Sequence, residues 1–267
     1  MPGLERPEDF PEENMRRAVL VFAAVFCLGL GAAAPARAQQ QAQPKLYTYV
    51  AEWGVPRAQW GEMNKYMESL KPTFDKLVDD GTLTGYGYGA VEVHQPGGMT
   101  HFNWMQASSV AGILKALGTV GAALTPNPVL AASKHADYFY QSTLYGGKAG
   151  TFQNGYLWLG HFKLQPGKTG DWIGMFHRFV KPILDGLVAD GTLVSYELDT
   201  PQVHTPGSND TLNYSFVSVG PDGIDKFFAA VSKAETANPF IGPAIDPIEA
   251  PAGHFDMIAA VPMMRRK

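Results

Sequence analysis

The chain reads as an α+β protein: two tandem β-α-β-β-α-β domains whose antiparallel sheets pack on one another. The first observation is an internal repeat. Lys71-Pro72 and Asp80-Gly81-Thr82-Leu83 return as Lys181-Pro182 and Asp190-Gly191-Thr192-Leu193. His94-x-Pro96-Gly97 returns as His204-x-Pro206-Gly207, and Asn103-Trp104 as Asn213-Tyr214, all about 110 residues on. A repeat of that length is a domain, not a solenoid turn. The second observation is the order of periodicities within each copy, which alternates between two and 3.6. The third is that one sheet face per copy is left without helices and must be buried, and the other copy is its cover.

The elements follow in order. Tyr47-Thr-Tyr49-Val-Ala51-Glu-Trp53 and Tyr156-Leu-Trp158-Leu-Gly160-His-Phe162 alternate aromatic residues at period two, which makes each a strand with one aromatic face. Trp60, Met63, Met67, Leu70, Phe74 and Leu77 recur at spacings of three and four. Trp172, Phe176, Phe179 or Val180, Ile183 and Leu187 do the same, so both stretches are amphipathic helices. Pro72 and Pro182 fall inside them and predict a kink or split in each. Gly81 and Gly191 end the helices. Second strands run from Leu83 to His94 and from Leu193 to His204. A Pro-Gly loop leads into third strands, Phe102 to Ala107 and Leu212 to Val219. Second helices start near Ser109 and Asp222, and Asn127-Pro128 and Asn238-Pro239 read as loops after them. A fourth strand starts at each His-x-Asp, and residues 240–253 absorb about nine extra residues in copy two. The domains are expected at 45–146 and 155–263, with Gly146 to Gly155 as the linker.

Residues 1–38 stand apart. Met15-Arg16-Arg17, the apolar stretch Ala18 to Ala33 and Ala36-Arg37-Ala38 read as a secretory signal peptide behind an acidic extension, with Met1 or Met15 as the start. The expectation is a periplasmic or secreted protein cleaved near Ala38, with no membrane anchor. Taking the four basic and five acidic residues of 1–38 from the chain's 21 and 25 leaves a balance near −3. Such a surface does not attract nucleic acid. Cys27, the only cysteine, leaves with the leader. Disulfides, thiolate catalysis and cysteine-ligated metals are excluded.

The order β-α-β-β-α-β is the ferredoxin-like split βαβ pattern. Over about 45–263 the duplicated chain resembles the dimeric α/β-barrel superfamily, with two fused domains in place of two subunits. That resemblance spans cofactor-independent monooxygenases, haem-degrading enzymes, haem peroxidases and lactone isomerases.

Several polar residues recur in both copies. His135 and Asp137, and likewise His254 and Asp256, are two apart on a strand and share a face. A carboxylate fixes the imidazole tautomer and raises its basicity, which suits a general base. Asn103 and Asn213 are candidate hydrogen-bond donors to a developing oxyanion. Tyr49, Trp104, Trp158, Tyr214, His94 and His204 are candidate ligand contacts in a semi-polar cavity suited to a planar aromatic or polyketide-like molecule. The competing reading is structural: His-x-Asp satisfies backbone groups at a strand start, and the Pro-Gly loop is kept for its turn. His101, His161 and His177 occur in one copy only, as specialised groups or exposed substitutions. No His-x-x-x-His, Gly-x-Ser-x-Gly or phosphate-loop pattern occurs, so no metal is assigned. Gly85-Tyr-Gly87-Tyr-Gly89 lies in a strand, where glycines let a ligand or ring approach the backbone. No cofactor is assigned. The expected function is binding of a small molecule, with cofactor-independent oxygenation or isomerisation of a hydrophobic or aromatic substrate as its enzymatic form. The alternatives are a non-catalytic ligand-binding or envelope-stress module, or a haem-binding protein. A monomer and a homodimer are both compatible with the duplication, since an exposed strand edge would still pair.

Overall fold

The structure is a computed structural model that describes residues 43–93, 98–123, 127–204 and 210–267. The first half contains β1 (Tyr47–Gly54), α1 (Trp60–Ser69), α2 (Lys71–Asp79), β2 (Gly85–Val91), β3 (His101–Ala107), α3 (Val110–Ala123), α4 (Pro128–Ala132) and β4 (Lys134–Gly147). The second contains β5 (Gly150–Leu164), α5 (Thr169–Met175), α6 (Lys181–Ala189), β6 (Leu193–Pro201), β7 (Thr211–Ser218), α7 (Asp222–Ala237), α8 (Ile241–Ile245) and β8 (Glu249–Arg266).

Within each half the strands lie in the order fourth, first, third, second. Pairing of β2 with β8 and of β4 with β6 then closes all eight into one antiparallel barrel. This is the dimeric α/β-barrel architecture completed inside one chain. Closure removes the exposed edge that would have invited pairing with another chain. The stretch expected to be a linker is mostly strand: β4 runs to Gly147 and β5 begins at Gly150, paired to Arg266. Its glycines serve extended pairing rather than flexibility.

The prolines act as expected. The first helix breaks at Leu70, and Pro72 sits in the first turn of α2, where a missing N–H costs nothing. In the second half a π-helical turn, Phe176–Val180, carries the break, and Pro182 opens α6. Gly81 and Gly191 close the helices at φ 80° and 88°. Asn127-Pro128 differs from expectation, because the Asn127 side chain accepts from the Val129 N–H at 3.0 Å and caps the short α4. The last strand also begins earlier than expected, at Glu249 rather than His254, because Gln165 bonds Ile248 and draws the segment into pairing.

One repeated clamp ties helix to sheet in both halves. Tyr86 Oη donates to Asp75 Oδ1 at 2.8 Å, and Lys71 pairs with Asp75. Tyr196 Oη donates to Asp185 Oδ1 at 2.5 Å, and Lys181 pairs with Asp185. The shared Lys-Pro dipeptides therefore mark the start of a helix whose next turn anchors the second strand.

Side chains alternate along every strand, so the barrel has two kinds of space. The outer face meets the helices. The inner face lines a lumen, which includes Trp104 and Phe102. A Cβ on Gly87 would stand 2.2 Å from the Trp104 ring, and one on Gly89 would stand 2.5 Å from Phe102. The alternating glycines therefore let these two rings lie on the β2 backbone.

Candidate functional site

The site forms on the outer face of the first half, between β1, β3, β4 and the helices. Tyr49, Ala51 and Trp53 on β1 face outward. Ala51 pairs with Asn103 of β3 on one side and with Asp137 of β4 on the other. Helix residues Tyr66, Met67, Leu70 and Leu117 close the top. Between them lies a cavity of about 150 Å³ lined by Tyr49, Trp53, Asn103, Met105 and His135, among others.

A connected polar chain runs along its rim. The His135 Nε2 stands 3.0 Å from Asp137 Oδ1, and Tyr49 Oη donates to the same oxygen. His135 stacks on Trp53 with ring centroids 3.9 Å apart, and Trp53 Nε1 donates to Asn103 Oδ1 at 3.3 Å. Burial and the Asp137 carboxylate both push the Tyr49 phenol far above its ordinary range, so it stays protonated and donates. Asp137 thus accepts from two donors. With Nε2–H on Asp137, the His135 lone pair lies on Nδ1. His135 and Asp137 are 37% and 51% exposed, so a molecule entering from solvent meets them first.

The second half repeats part of this. His254 Nε2 lies 2.8 Å from Asp256 Oδ1, and His254 stacks on Phe162 at 4.3 Å. Here the likeness stops. Strand pairing places Trp158 where Tyr49 stands, Phe162 for Trp53, Tyr214 for Asn103 and Phe216 for Met105. Trp158 stacks on Phe216 at 5.5 Å and Tyr214 meets Phe176 at 4.8 Å. Aromatic rings fill the space that is open in the first half, and no tyrosine hydroxyl reaches Asp256 from β5.

The pairing also corrects one sequence equivalence. Gly160 lies opposite Tyr214, and His161 opposite Asn213, whereas Ala51 lies opposite Asn103. Asn103 and Asn213 are one register apart, and a one-residue slip moves a side chain to the other face. Asn103 faces the outer cavity. Asn213 faces the lumen, where its Oδ1 is 2.7 Å from His161 Nδ1. Trp104 likewise lies in the lumen, away from Tyr49. His204 is exposed, and His94 lies outside the described residues. The structure therefore brings Tyr49, Asn103, His135 and Asp137 together. It keeps His254 and Asp256 as a separate pair and places Trp158 and Tyr214 in a packed cluster. Trp53 is a further site residue, and its place two residues beyond Ala51, on the face shared with Tyr49, is the signal for it in the sequence.

No protein-family model matches the sequence, and no curated protein does. Solved structures match the fold. A candidate monooxygenase from Lactobacillus acidophilus superposes with TM-score 0.62 at 9% identity, covering 83% of this chain and 96% of that one. A candidate monooxygenase from Fusobacterium nucleatum gives 0.57 at 10%, covering 84% and 96%. An anthrone oxidase-like protein gives 0.51 at 10%, covering 84% and 93%. The chain has the dimeric α/β-barrel fold of these proteins.

A haem does not fit the outer cavity. His135 is the histidine among its lining residues, with Nε2 turned to Asp137 and its face covered by Trp53. A cavity near 150 Å³ is about the size that takes one benzene ring.

Proposed function

We propose that the outer cavity of the first half binds a single-ring aromatic molecule, such as a phenol or hydroquinone, and that the protein oxygenates it without a cofactor. The observation that carries this is the Tyr49–Asp137–His135 chain on the rim of an apolar cavity with room for one ring. Asp137 holds the imidazole with Nδ1 as the proton acceptor, and Tyr49 holds Asp137 in place. Proton transfer from a substrate hydroxyl to His135 leaves an electron-rich phenolate against Trp53, and the phenolate gives one electron to dioxygen. The phenoxyl radical and superoxide combine at a ring carbon, and the His135 proton goes to the peroxide. O–O cleavage with loss of the ring C–H proton then releases water and a quinone, so the substrate supplies every electron. Two structural neighbours described as monooxygenases agree with this reading. The second half supplies the barrel and no second active site. Export through residues 15–38 is part of the proposal, tested by N-terminal sequencing of the protein recovered from the periplasm or medium.

The test is oxygen uptake with a panel of single-ring phenols, beside ligand binding followed by Trp fluorescence. His135→Gln should lose turnover by roughly 10²–10⁴-fold, the range for removing a general base, with the melting temperature nearly unchanged. His254→Gln should retain activity. Binding without oxygen uptake would make the protein a ligand-binding module. Equal loss in the two variants would refute the asymmetry.

A further inference from the structure

The barrel lumen holds a second cavity, reached by the alternate residues of the same strands and chemically separate from the outer one. It measures about 70 Å³. One side is apolar, formed by Val50, Phe102, Trp104 and Leu157. The other side carries carboxyl groups from two strands: Glu52 on β1, and Glu197 and Asp199 on β6. Glu197 and Asp199 are two apart and so share the inner face.

These three groups are not equally satisfied. Glu197 accepts from Thr48 Oγ1 and Ser142 Oγ, each at 3.1 Å, and from Gln106 Nε2. Asp199 is only 7% exposed; Ser142 bonds its carboxyl group, and its Oδ1 has no hydrogen-bond partner. Burial and the Glu197 charge both favour its neutral form. Among the described residues no Lys, Arg or His lines the cavity itself; His161 faces the same lumen and bonds Asn213, which does line it. A buried acceptor without a donor is costly, and a native structure that keeps one calls for a ligand or another cause. A metal ion does not suit the arrangement: among the described residues, no three His, Cys, Asp or Glu side chains gather closely enough to hold one.

We propose that the lumen is a binding site for a small organic cation, a primary ammonium on a short aliphatic chain, held by Asp199 and Glu52 with its chain against Trp104 and Leu157. The ammonium has three donors and no acceptor, which matches the carboxylate oxygens of Asp199 and Glu52. Its charge favours the ionised form of Asp199, which gives up its proton to solvent as the cation enters. The ring faces of Trp104 and Phe102 favour a cation as well as an alkyl chain. The volume limits the ligand to a few heavy atoms. This site does not depend on the reading of the outer cavity.

The test is titration of the purified protein at neutral pH with ethyl- through hexylammonium. Heat is followed by calorimetry, and the indole N–H signals by NMR. A neutral and an anionic control, 1-butanol and butyrate, have the same chain. The expected result is saturable binding with an optimum at a short chain, movement of the Trp104 signal, and no movement of Trp53, which lines the outer cavity. Neither control should saturate. Asp199→Asn should weaken binding by about tenfold or more, as for a lost charge-assisted hydrogen bond. If that variant does not fold, Glu52→Gln carries the same direction of change. The proposal is overturned if no chain length saturates, if 1-butanol binds as tightly as butylammonium, if a folded Asp199→Asn variant keeps full affinity, or if Trp53 moves while Trp104 does not.

Discussion

Replacing Glu52 by Gln should change how stability depends on pH. Glu52 faces the lumen from β1, and burial raises its carboxyl from 4.5 to about 7. The folded state therefore holds a proton between those values that the unfolded chain has released. Stability falls as pH rises whenever the folded state binds more protons. Glu52 thus costs nothing below its unfolded value, and its destabilising effect is complete above about 7. At ~1.4 kcal/mol per pKa unit the full effect is on the order of 3 kcal/mol, an upper bound given its partial exposure. Glutamine keeps the shape and remains neutral. The variant should match the parent near pH 4 and gain up to about 3 kcal/mol over it by pH 8. Asp199, Glu197, Tyr138, Tyr140 and His161 also face the lumen and are present in both proteins; the Glu52 charge pushes the Tyr138 and Tyr140 phenols up, and burial alone already keeps both protonated over this range. Urea unfolding at four or five pH values measures the difference. Parallel stability curves, or a variant weaker than the parent at high pH, would show that Glu52 is not a buried neutral acid.

Other substitutions probe other parts of the argument. Gly87→Ala should destabilise by about 1–3 kcal/mol in thermal or urea melts, because the added methyl meets the Trp104 ring and overpacks the lumen. Tyr214→Phe should be neutral or stabilising by up to about 1–2 kcal/mol, since its buried hydroxyl has no partner; a clear loss of stability would reveal a bond to that hydroxyl. Asn103→Tyr should fill the outer cavity in the manner of Tyr214, abolishing aromatic-ligand binding while the far-UV circular dichroism is retained. Asn127→Ala should cost about 1 kcal/mol through loss of the α4 cap.

Much of this protein is determined locally and can be read along the chain. The strands follow from period-two aromatic alternation, and the helix breaks follow from Pro72 and Pro182. The helix ends follow from glycines at positive φ. Duplication and a bare sheet face per copy lead to two sheets that cover each other. The His135–Asp137 and His254–Asp256 pairs are also local, since strand geometry alone puts residues two apart on one face.

What depends on partner strands could not be read that way. Asn103 and Asn213 match in sequence, yet β1 and β5 set registers that send them to opposite faces. The first cavity is open because Asn103 and Met105 stand where Tyr214 and Phe216 fill the second, a volume difference that only pairing reveals. The glycines of 146–155 look like a linker until Arg266 is found opposite Gly150. Gln106, Thr48, Ser142 and Glu197 come from four strands and meet only when the barrel closes. Periodicity records which face a residue takes within its own strand; register, closure and packed volume are properties of contacts between distant segments, and only the tertiary structure decides them.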